Sequence, residues 1–458
     1  KPSVKAQLES KGLSVTRYAG ADRYLTNVDV LSKLNLDTSS VYVATGNDFP
    51  DALAGAVLAA KRNNPILLVP STDLNSQTTN YLSARRTGGS SFTLLGGWGV
   101  ISYKLENIIR TGSIKPRISL QYLQAYGSSA YTTYLSQINM APGKATDYVD
   151  FVAPNWYAIN NIPSGKTVAD GTFTGPWDTA SNNYTQIVNA AHGRGLKVLP
   201  VIGSSWDSEG KAAVDSIMKE PTARTSLVNN LVRMLAATGA DGVVIDLEYM
   251  SDETGPYLTE FMKELYAALH PKNKIVIQAV MSRTSSTDWY PEFNYKELSQ
   301  HVDYLNIMTY DYSMSVPGPI APISWAKKVL EYTKSQGVDM SKVLMGVPYY
   351  GRDWAQKDAT SYTKKSVGLM SATNAATEYK ATIQRETSPE DSVGIPNYSY
   401  TDADKIVHKV YFDDPLSWER KLMLMQEYNL GGIGAWSMMW VTDEIGKELF
   451  PVLNRNLR

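Results

Sequence analysis

Eight short apolar runs recur from Arg117 to the end of the chain, and stretches with the periodicity of amphipathic helices separate them. The clearest of these helical stretches are Ser226–Thr238, Tyr257–Leu269 and Ser417–Tyr428. Eight strand–helix units in succession predict a (β/α)8 TIM barrel, an α/β fold whose functional groups lie at the carboxyl ends of the strands. The eight predicted strands are Ile118–Leu123, Tyr148–Ala153, Leu196–Ile202, Gly242–Leu247, Ile275–Val280, Tyr304–Met308, Val343–Val347 and Gly432–Trp436.

The first part of the chain, residues 13–112, alternates in the same way on a smaller scale. Ser40–Thr45 and Pro65–Val69 have the composition of buried strands, and Asp51–Ala60 between them is rich in good helix formers. Alternating strands and helices predict a small parallel α/β domain. A short segment, 113–116, is expected to link this domain to the barrel at 117–458.

Residues 1–12 fit neither domain. They form an amphipathic, Ser-started segment that is closed by Gly12, and the segment that follows Ser102 has the same form and is closed by Gly112. Such helices are common, so one interpretation is that the two segments resemble each other by chance. The other is that residues 1–12 are the tail of a preceding repeat.

One connection in the predicted barrel, residues 355–408, is much longer than the others and is rich in Thr, Ser and Tyr. A structureless loop of that length is uncommon in a compact domain. We therefore expect a small insertion subdomain between barrel strands 7 and 8, beside the cleft.

The fourth predicted strand ends in two carboxylates. Because side chains alternate along a strand, Val244, Asp246 and Glu248 share one face, while Val243 and Leu247 share the other. Carboxylates inside a barrel are costly unless they are functional or paired, and this pair lies where the fold places its chemistry. At a Cα separation of roughly 6–7 Å, one acid can donate a proton while the other restrains the substrate. The alternative is a buried acid pair that only braces loops.

The composition is that of an ordinary globular protein, and it excludes several classes of function. Lys and Arg (44) nearly balance Asp and Glu (45), so the sequence predicts no nucleic-acid partner. No apolar stretch approaches the roughly 20 residues of a membrane span. The absence of cysteine excludes disulfides, thiol catalysis and zinc–thiolate sites. The 29 Tyr and 10 Trp against 8 Phe mildly favour a surface that stacks on sugars.

The acidic strand resembles a known signature. Asp241-Gly-Val-Val-Ile-Asp246-Leu-Glu248 is similar to the DGxDxDxE motif of glycoside hydrolase family 18, the chitinase-like enzymes. Further segments match in the expected order, namely Met308-Thr-Tyr310-Asp311, Gly346-Val-Pro-Tyr-Tyr350-Gly-Arg352 and Trp436. The stretch Val410-Tyr-Phe412-Asp-Asp414 is most similar to the branch that contains spore-cortex and peptidoglycan N-acetylglucosaminidases.

This resemblance implies roles for individual residues. Glu248 would protonate the glycosidic oxygen, Asp246 would orient the substrate acetamide that attacks the anomeric carbon, and Tyr310 would hydrogen-bond that acetamide. The chemistry would retain configuration and need no metal or other cofactor. Asp241 and Gly242 would support the motif. Substrate contacts are expected from Trp436, Asp311, Met308, Tyr350, Arg352 and Trp156.

The sequence departs from this family pattern at Val244, where an Asp is common. That Asp usually shares a proton with the acid in the position of Asp246. Its loss is expected to leave Asp246 less adjustable and to alter the pH optimum. A second interpretation is a non-catalytic, lectin-like relative.

The first domain carries a resemblance of its own. Its motif segments together resemble one type 2 cell-wall-binding repeat of clostridial surface proteins, which implies attachment to an anionic cell-wall polymer. For Arg17, Asp22, Arg23 and Asp51 we expect an internal salt-bridge set that shapes the repeat. The segments are Arg17-Tyr-Ala-Gly20-Ala-Asp22-Arg23-Tyr24, Ala44-Thr-Gly46-Asn-Asp48-Phe-Pro50-Asp51, Pro65-Ile-Leu-Leu68 and Leu95-Gly96-Gly97-Trp-Gly99-Val-Ile101-Ser102.

The two resemblances together predict a secreted glycosidase at the cell wall of a Gram-positive bacterium. Its expected reaction is cleavage of β-1,4 N-acetylglucosaminyl linkages, and the wall-binding repeat favours peptidoglycan over chitin as the polymer. Two alternatives stay open. One keeps the chemistry and changes the substrate to chitin or an N-glycan, and the other is a wall protein that binds glycan without cleaving it.

Overall fold

The computed structural model describes residues 2–70, 74–97, 100–101, 103–112, 117–126, 129–140, 149–175, 183–389 and 391–457. Several sequence features lie outside these ranges, namely the predicted linker 113–116, the first residue of the second predicted strand, Tyr148, and the motif residues Trp98, Gly99 and Ser102. The chain forms two compact units, Lys1–Lys115 and Pro116–Leu457, and each has its own apolar core.

The first unit is a parallel sheet of three strands with helices around it, as the alternating pattern predicted. Its strands are β1 Ser40–Thr45, β2 Ile66–Val69 and β3 Ser91–Leu95, in the order β2-β1-β3. Its helices are α1 Pro2–Glu9, α2 Arg23–Lys33, α3 Pro50–Lys61, α4 Ser76–Thr87 and α5 Tyr103–Thr111. Val41, Val43 and Leu67 of the sheet pack with Leu105 and Ile109 of α5 in its core.

Local hydrogen bonds, rather than ion pairs, hold the segment at the start of α2. Asp22 caps the helix, because its Oδ1 accepts a backbone N–H of the first turn at 2.7 Å. Arg23 donates to the carbonyl of Gly46 at 2.6 Å. Within the described ranges no ion pair joins Arg17, Asp22, Arg23 and Asp51, so the predicted salt-bridge set is wrong. Backbone groups of a helix end and of a loop satisfy Asp22 and Arg23 instead.

The second unit is a closed barrel of parallel strands with helices outside, so the predicted (β/α)8 fold is confirmed. The hydrogen-bonded order is β4-β18-β12-β11-β10-β9-β8-β5, and β5 closes on β4. The barrel strands are β4 Ile118–Leu123, β5 Phe151–Ile159, β7 Lys197–Val198 with β8 Val201–Gly203, β9 Gly242–Ile245, β10 Ile275–Met281, β11 Tyr304–Met308, β12 Val343–Pro348 and β18 Gly432–Trp436. A short strand, β6 Phe173–Thr174, pairs antiparallel with β5.

The helices of the second unit follow the strands along the chain. They are α6 Ala130–Met140, α7 Asn183–His192, α8 Ser208–Lys219, α9 Pro221–Thr238, α10 Gly255–Leu269, α11 Tyr295–Ser299, α12 Ile323–Ser335, α13 Leu369–Glu378, α14 Pro415–Glu427 and α15 Asp443–Leu457. Short 3-10 turns occur at Asp252–Thr254, His270–Lys272, Met340–Lys342 and Met438–Trp440. No helix in the described part of the chain combines the length and the apolarity that crossing a membrane requires.

The third and fourth barrel strands differ in length from the prediction. The run Leu196–Ile202 was expected to be continuous, but it is divided at Pro200, which has no N–H for the ladder. The carbonyl of Pro200 still accepts the N–H of Val244 at 3.0 Å, so the barrel wall continues across the gap. The fourth strand ends at Ile245, two residues before its predicted end.

The fourth strand distributes its side chains as the alternation predicted. Val243 and Ile245 are fully buried in the core between the strands and the helices. Val244 is equally buried but lies in the barrel interior, where it packs with Leu120 and Tyr122. The alternation therefore brings Asp246, two residues beyond Val244, to the inner side of the barrel mouth.

The long connection forms an antiparallel sheet of five strands, which we call the insertion sheet. Its strands are β13 Tyr350–Gln356, β14 Tyr362–Gly368, β15 Gln384–Ser388, β16 Asp391–Thr401 and β17 Val407–Tyr411, in the order β14-β13-β17-β16-β15. The insertion sheet extends beyond the predicted limits of 355 and 408 on both sides. A single residue, Tyr349, separates β12 of the barrel from β13, and its N–H donates to the carbonyl of Trp436 at 2.8 Å.

Candidate active site

The first residues of the acidic motif fix the start of β9. The carboxylate of Asp241 accepts the N–H of Val198 and contacts His192 Nε2, each at 2.8 Å. Gly242 is required by the lack of space, because a Cβ there would lie 2.1 Å from the carbonyl oxygen of Ile275. These two residues therefore set the position of the strand, and they lie at the end of β9 opposite to the acids.

Asp246 and Glu248 line a pocket of about 360 Å³ at the carboxyl ends of the barrel strands. The pocket brings together most of the residues that the sequence singled out. These are Asp246, Glu248, Met308, Tyr310, Asp311, Tyr350 and Trp436. It also contains residues that the sequence did not predict, namely Trp206, Met281, Ser282, Tyr290, Met314 and Trp325.

The surroundings of the two acids favour their protonated forms. Desolvation raises the pKa of Asp246 above its ordinary value. Desolvation also raises the pKa of Glu248 well above its ordinary value, and the negative charges of Asp246 and Asp311 add to this effect. Both side chains remain partly accessible from the pocket, although protein atoms surround them densely. A carboxylic acid that keeps its proton toward neutral pH is suited to general acid catalysis.

One oxygen of Asp246 lacks a hydrogen-bond donor. Among the described residues none donates to its Oδ1, although that atom is buried. Val244, two positions earlier on the same face, has an apolar side chain and cannot donate. A buried acceptor without a donor costs about 1–3 kcal/mol, and such groups are found where a ligand completes the hydrogen bonds. The oxygen is thus an unsatisfied hydrogen-bond acceptor at the pocket.

Asp311 is held in an unusual backbone conformation at the edge of the pocket. Its φ of 61° lies in the left-handed region, which is uncommon for residues other than glycine and concentrates at functional sites. Its Oδ1 accepts from the hydroxyl of Tyr350 at 2.7 Å and from Nη2 of Arg352 at 2.5 Å. Arg352 does not line the pocket itself, so its place in the site is to orient Asp311.

Trp436 packs on a second aromatic residue that the sequence analysis missed. The rings of Trp436 and Tyr122 are 5.3 Å apart at 54°. The amide of Asn306 donates to the hydroxyl of Tyr122 at 2.9 Å. Burial, with the charges of Asp246 and Glu248, raises the pKa of Tyr122 well above its ordinary value, so the hydroxyl keeps its proton. The signal was present in the sequence, because Tyr122 is an inward position of the first strand.

Two aromatic rings near the pocket mouth are exposed to solvent. Trp206 lines the pocket, and its side chain is 64% exposed. Its ring is parallel to that of Tyr249, with centroids 6.1 Å apart. Exposed parallel aromatic faces are suited to stacking on sugar rings. Sequence reasoning did not find Trp206, because it lies in a loop after β8 where no periodicity exists.

Trp156 lies outside the pocket, so the expected substrate contact is wrong. The residue is only 2% exposed and belongs to the core between the barrel wall and the helices. Its ring lies 4.8 Å from that of Tyr184 and 6.4 Å from that of Tyr134. On β5 this position faces outward, and the large apolar ring fills the space between the strand and α6 and α7.

Comparisons with known proteins agree with this geometry. Residues 119–439 match the family model described as glycosyl hydrolases family 18. The chain belongs to this family. In this family 18 chain, residues 17–106 also match the model described as cell wall binding domain 2. Both resemblances that the sequence motifs carried are therefore confirmed.

Two curated relatives of this family 18 protein come from Bacillus subtilis. It is 33% identical over 228 residues to the "Putative sporulation-specific glycosylase YdhD" of Bacillus subtilis, with 49% of this chain and 53% of that protein covered. It is 28% identical to the "Cortical fragment-lytic enzyme" of Bacillus subtilis, with 48% and 52% covered. The match therefore spans about half the length of these curated relatives.

A solved structure resembles the barrel unit more completely. The C-terminal domain of a "putative chitinase" from Desulfitobacterium hafniense is 44% identical with a TM-score of 0.69. That comparison covers 75% of this chain and all of the other chain.

Proposed function

We propose that this protein is a glycosidase that cleaves β-1,4 N-acetylglucosaminyl linkages in peptidoglycan. The observation that carries the proposal is the position of Glu248, a carboxylic acid with a raised pKa in an open pocket, beside Asp246 and Tyr310. Membership in family 18 of the glycosyl hydrolases supports the reaction class.

In the proposed mechanism Glu248 donates its proton to the glycosidic oxygen as the bond to the leaving sugar breaks. The raised pKa of Glu248 keeps that proton available. In the second half of the reaction the same residue, now a carboxylate, accepts a proton from the attacking water. Glu248 thus alternates between acid and base, and the reaction needs no metal or other cofactor.

The nucleophile in this proposal is the carbonyl oxygen of the substrate's own acetamide. The unpartnered Oδ1 of Asp246 accepts the acetamide N–H, and the hydroxyl of Tyr310 donates to its carbonyl. Burial raises the pKa of Tyr310 well above its ordinary value, so its hydroxyl is present as a donor. The acetamide attacks the face opposite the leaving sugar, and water then attacks from the face that the leaving sugar vacated, so two inversions retain the configuration at the anomeric carbon. Trp436 provides an apolar floor under the sugar.

The choice of polymer and the location of the protein follow from the first unit. A cell-wall-binding domain in the same chain would hold the barrel at an anionic wall polymer, where peptidoglycan is the abundant N-acetylglucosamine glycan. This supports a secreted protein at the wall of a Gram-positive bacterium. The names of the cortical fragment-lytic and sporulation-specific relatives point in the same direction.

Digestion of purified peptidoglycan by wild-type protein and by Glu248→Gln tests the proposal. The variant keeps the size of the side chain but not its acid, so hydrolysis should fall by roughly 10²–10⁴-fold. Glu260→Gln, on the exposed face of α10, is the matched control and should be fully active. New reducing ends that carry N-acetylglucosamine, seen by mass spectrometry, are the expected product. Undiminished fragment release by Glu248→Gln would contradict the proposal.

Two other functions have an observation in their favour. The identity to a structure named as a chitinase favours neutral chitin oligomers as substrate for the same residues. The apolar Val244 beside Asp246 favours a protein that binds glycan without cleaving it. Parallel incubation with chitin oligomers and with peptidoglycan separates these cases. Cleavage of chitin alone supports the first, and binding without products from either polymer supports the second.

A further inference from the structure

The first two strands of the insertion sheet place two cations on one face. In the antiparallel pairing of β13 and β14, Trp354 lies opposite Lys364 and Arg352 lies opposite Ser366. Residues two apart on a strand share a face, so Arg352, Trp354 and Lys364 lie on the same side. Since Arg352 donates to the pocket residue Asp311, this is the side of the sheet that adjoins the pocket.

Lys364 reaches from this face to the rim of the pocket. Its ammonium donates to the carbonyl of Met314, lies 3.8 Å from the Met314 sulfur and lies 5.6 Å from the ring centroid of Trp354. Met314 is itself a pocket residue, and Nη2 of Arg352 contacts the same sulfur at 3.5 Å. The side chain of Lys364 is exposed, so its remaining N–H donors face solvent at the rim.

The charges at this rim are not balanced. Within the described part of the chain, Asp311 is the one carboxylate that forms an ion pair with Arg352, and no carboxylate lies within ion-pair distance of Lys364. Desolvation and the neighbouring charge of Arg352 lower the pKa of Lys364, and Asp311 only partly opposes them. An anion bound at the ammonium would relieve this repulsion. The rim thus has two cations for one anion.

We propose that Lys364, backed by Arg352, binds a carboxylate carried by a sugar of the glycan, and so makes the pocket selective for acidic over neutral N-acetylated polymers. This rests on the proposed function and names its substrate class more closely. In peptidoglycan every second sugar bears an acidic lactyl ether, either free or extended by a peptide with carboxylates of its own. In chitin no sugar bears an acid. Lys364 is a specificity residue in this proposal, and the acid and the acetamide contacts remain as described above.

The test compares two forms of one glycan. Alternating N-acetylglucosamine and N-acetylmuramic acid strands, stripped of peptides, carry free carboxylates, and methyl esterification of the same strands removes the charge. Kinetics are measured with the full chain as wild type, Lys364→Met and Lys364→Arg. Lys365→Met is the matched control, because Lys365 is the next residue of β14 and contacts Asp353 on the opposite face at 3.3 Å.

Wild type should prefer the free acid. Lys364→Met should lower kcat/KM for the free acid by about tenfold, the effect of one charge-assisted hydrogen bond, mainly through KM. The same substitution should change kcat/KM for the esterified glycan by less than about twofold, because that glycan carries no charge for Lys364 to bind. Lys364→Arg should restore the preference, and Lys365→Met should keep it. Equal losses on both glycans would mean that Lys364 only anchors Met314, and this result or an unchanged preference would overturn the proposal.

Titration of both glycans into protein carrying Glu248→Gln separates this inference from the proposed function. Binding that prefers the free acid and loses that preference with Lys364→Met supports the inference even if wild type cleaves neither glycan. If wild type cleaves both glycans and Glu248→Gln binds both with equal affinity, the proposed function is supported and the inference is overturned. Failure to bind or cleave either glycan overturns both.

Discussion

The carboxylate of Asp311 contributes to the raised pKa of Glu248, although hydrogen bonds join Asp311 to a different group of residues. Those bonds come from Tyr350 and Arg352, which belong to β13 of the insertion sheet. The barrel supplies the acid, therefore, and the insertion sheet holds one of the charges that tune it.

Asp311→Asn should shift the pH dependence of hydrolysis to lower pH. The substitution removes a negative charge near Glu248, so the pKa of Glu248 falls. In the proposed mechanism Glu248 acts only while protonated, so activity is lost as pH rises through its pKa, and the alkaline limb of kcat/KM moves to lower pH. A pH–rate profile measures this shift. Asp404→Asn, at an exposed position of the insertion, is the control and should leave the limb in place. An alkaline limb that stays or moves upward in Asp311→Asn would refute the coupling.

Trp206→Ala should weaken glycan binding more than it slows the chemistry. The exposed ring lines the pocket and lies parallel to Tyr249, so its loss removes a stacking surface of about 0.5–1.5 kcal/mol. We expect KM to rise by up to about tenfold with a smaller change in kcat. Trp289→Ala is a useful comparison, because Trp289 is 85% exposed and does not line the pocket. Equal effects of the two substitutions would argue against a stacking site at Trp206.

Gly242→Ala should destabilise the barrel without a direct contact to the pocket. A Cβ at this position would meet the carbonyl oxygen of Ile275 at 2.1 Å, and the strands would have to separate. Overpacking of this kind costs about 1–3 kcal/mol, measurable by denaturant unfolding. At Gly193 the added Cβ would lie 3.4 Å from its nearest neighbour, so Gly193→Ala should cost much less. Equal stabilities of the two variants would show that the strand accommodates the methyl group.

Lys421→Met should be strongly destabilising at neutral pH. Lys421 and Asp413 form an ion pair in which both side chains are 2% exposed, and removal of the lysine leaves a buried carboxylate unpaired. Breaking such a pair costs about 3–5 kcal/mol. Burial already raises the pKa of Asp413, and the loss of Lys421 raises it further. The loss in free energy of unfolding caused by Lys421→Met should therefore become smaller as pH falls and Asp413 takes up a proton.

The double variant Asp413→Leu with Lys421→Met is the internal control for this prediction. It removes both charges together, so it should recover much of the stability that the single variant loses. Urea unfolding at neutral and at acidic pH distinguishes the outcomes. A double variant that is no more stable than Lys421→Met alone would assign the loss to packing rather than to the unpaired charge.

The barrel and its acids could be predicted because they depend on local patterns. A strand alternates its faces with a period of two, so the pattern around Val244 was enough to turn Asp246 into the barrel mouth. Tyr310, Asp311 and Tyr350 follow strands that such patterns also located. Parallel strands in a barrel bring their carboxyl ends to one rim, which is why residues distant in sequence meet there.

The residues that sequence reasoning missed depend on geometry between elements. Trp156 and Trp206 are the same residue type. Trp156 on β5 points into the core, whereas Trp206 in the loop after β8 lines the pocket, and this orientation cannot be read from the sequence. The start of the insertion was misplaced because β12 continues into β13 with one residue between them. A strand that passes from one sheet to another carries no change of periodicity at the crossing.

Because only Tyr349 separates β12 from β13, the insertion cannot be removed without affecting the pocket. Tyr350 and Arg352 belong to the insertion by connectivity, yet Tyr350 lines the pocket and both donate to the pocket residue Asp311. A design that removes the insertion from residue 355 onward would keep Tyr350 and Arg352 but leave β13 without its partner strands β14 and β17. A design that removes it from Pro348 onward would delete Tyr350 and Arg352. Transplantation between homologous barrels therefore requires residues 350–411 as one cassette, which carries the two side chains that hold Asp311.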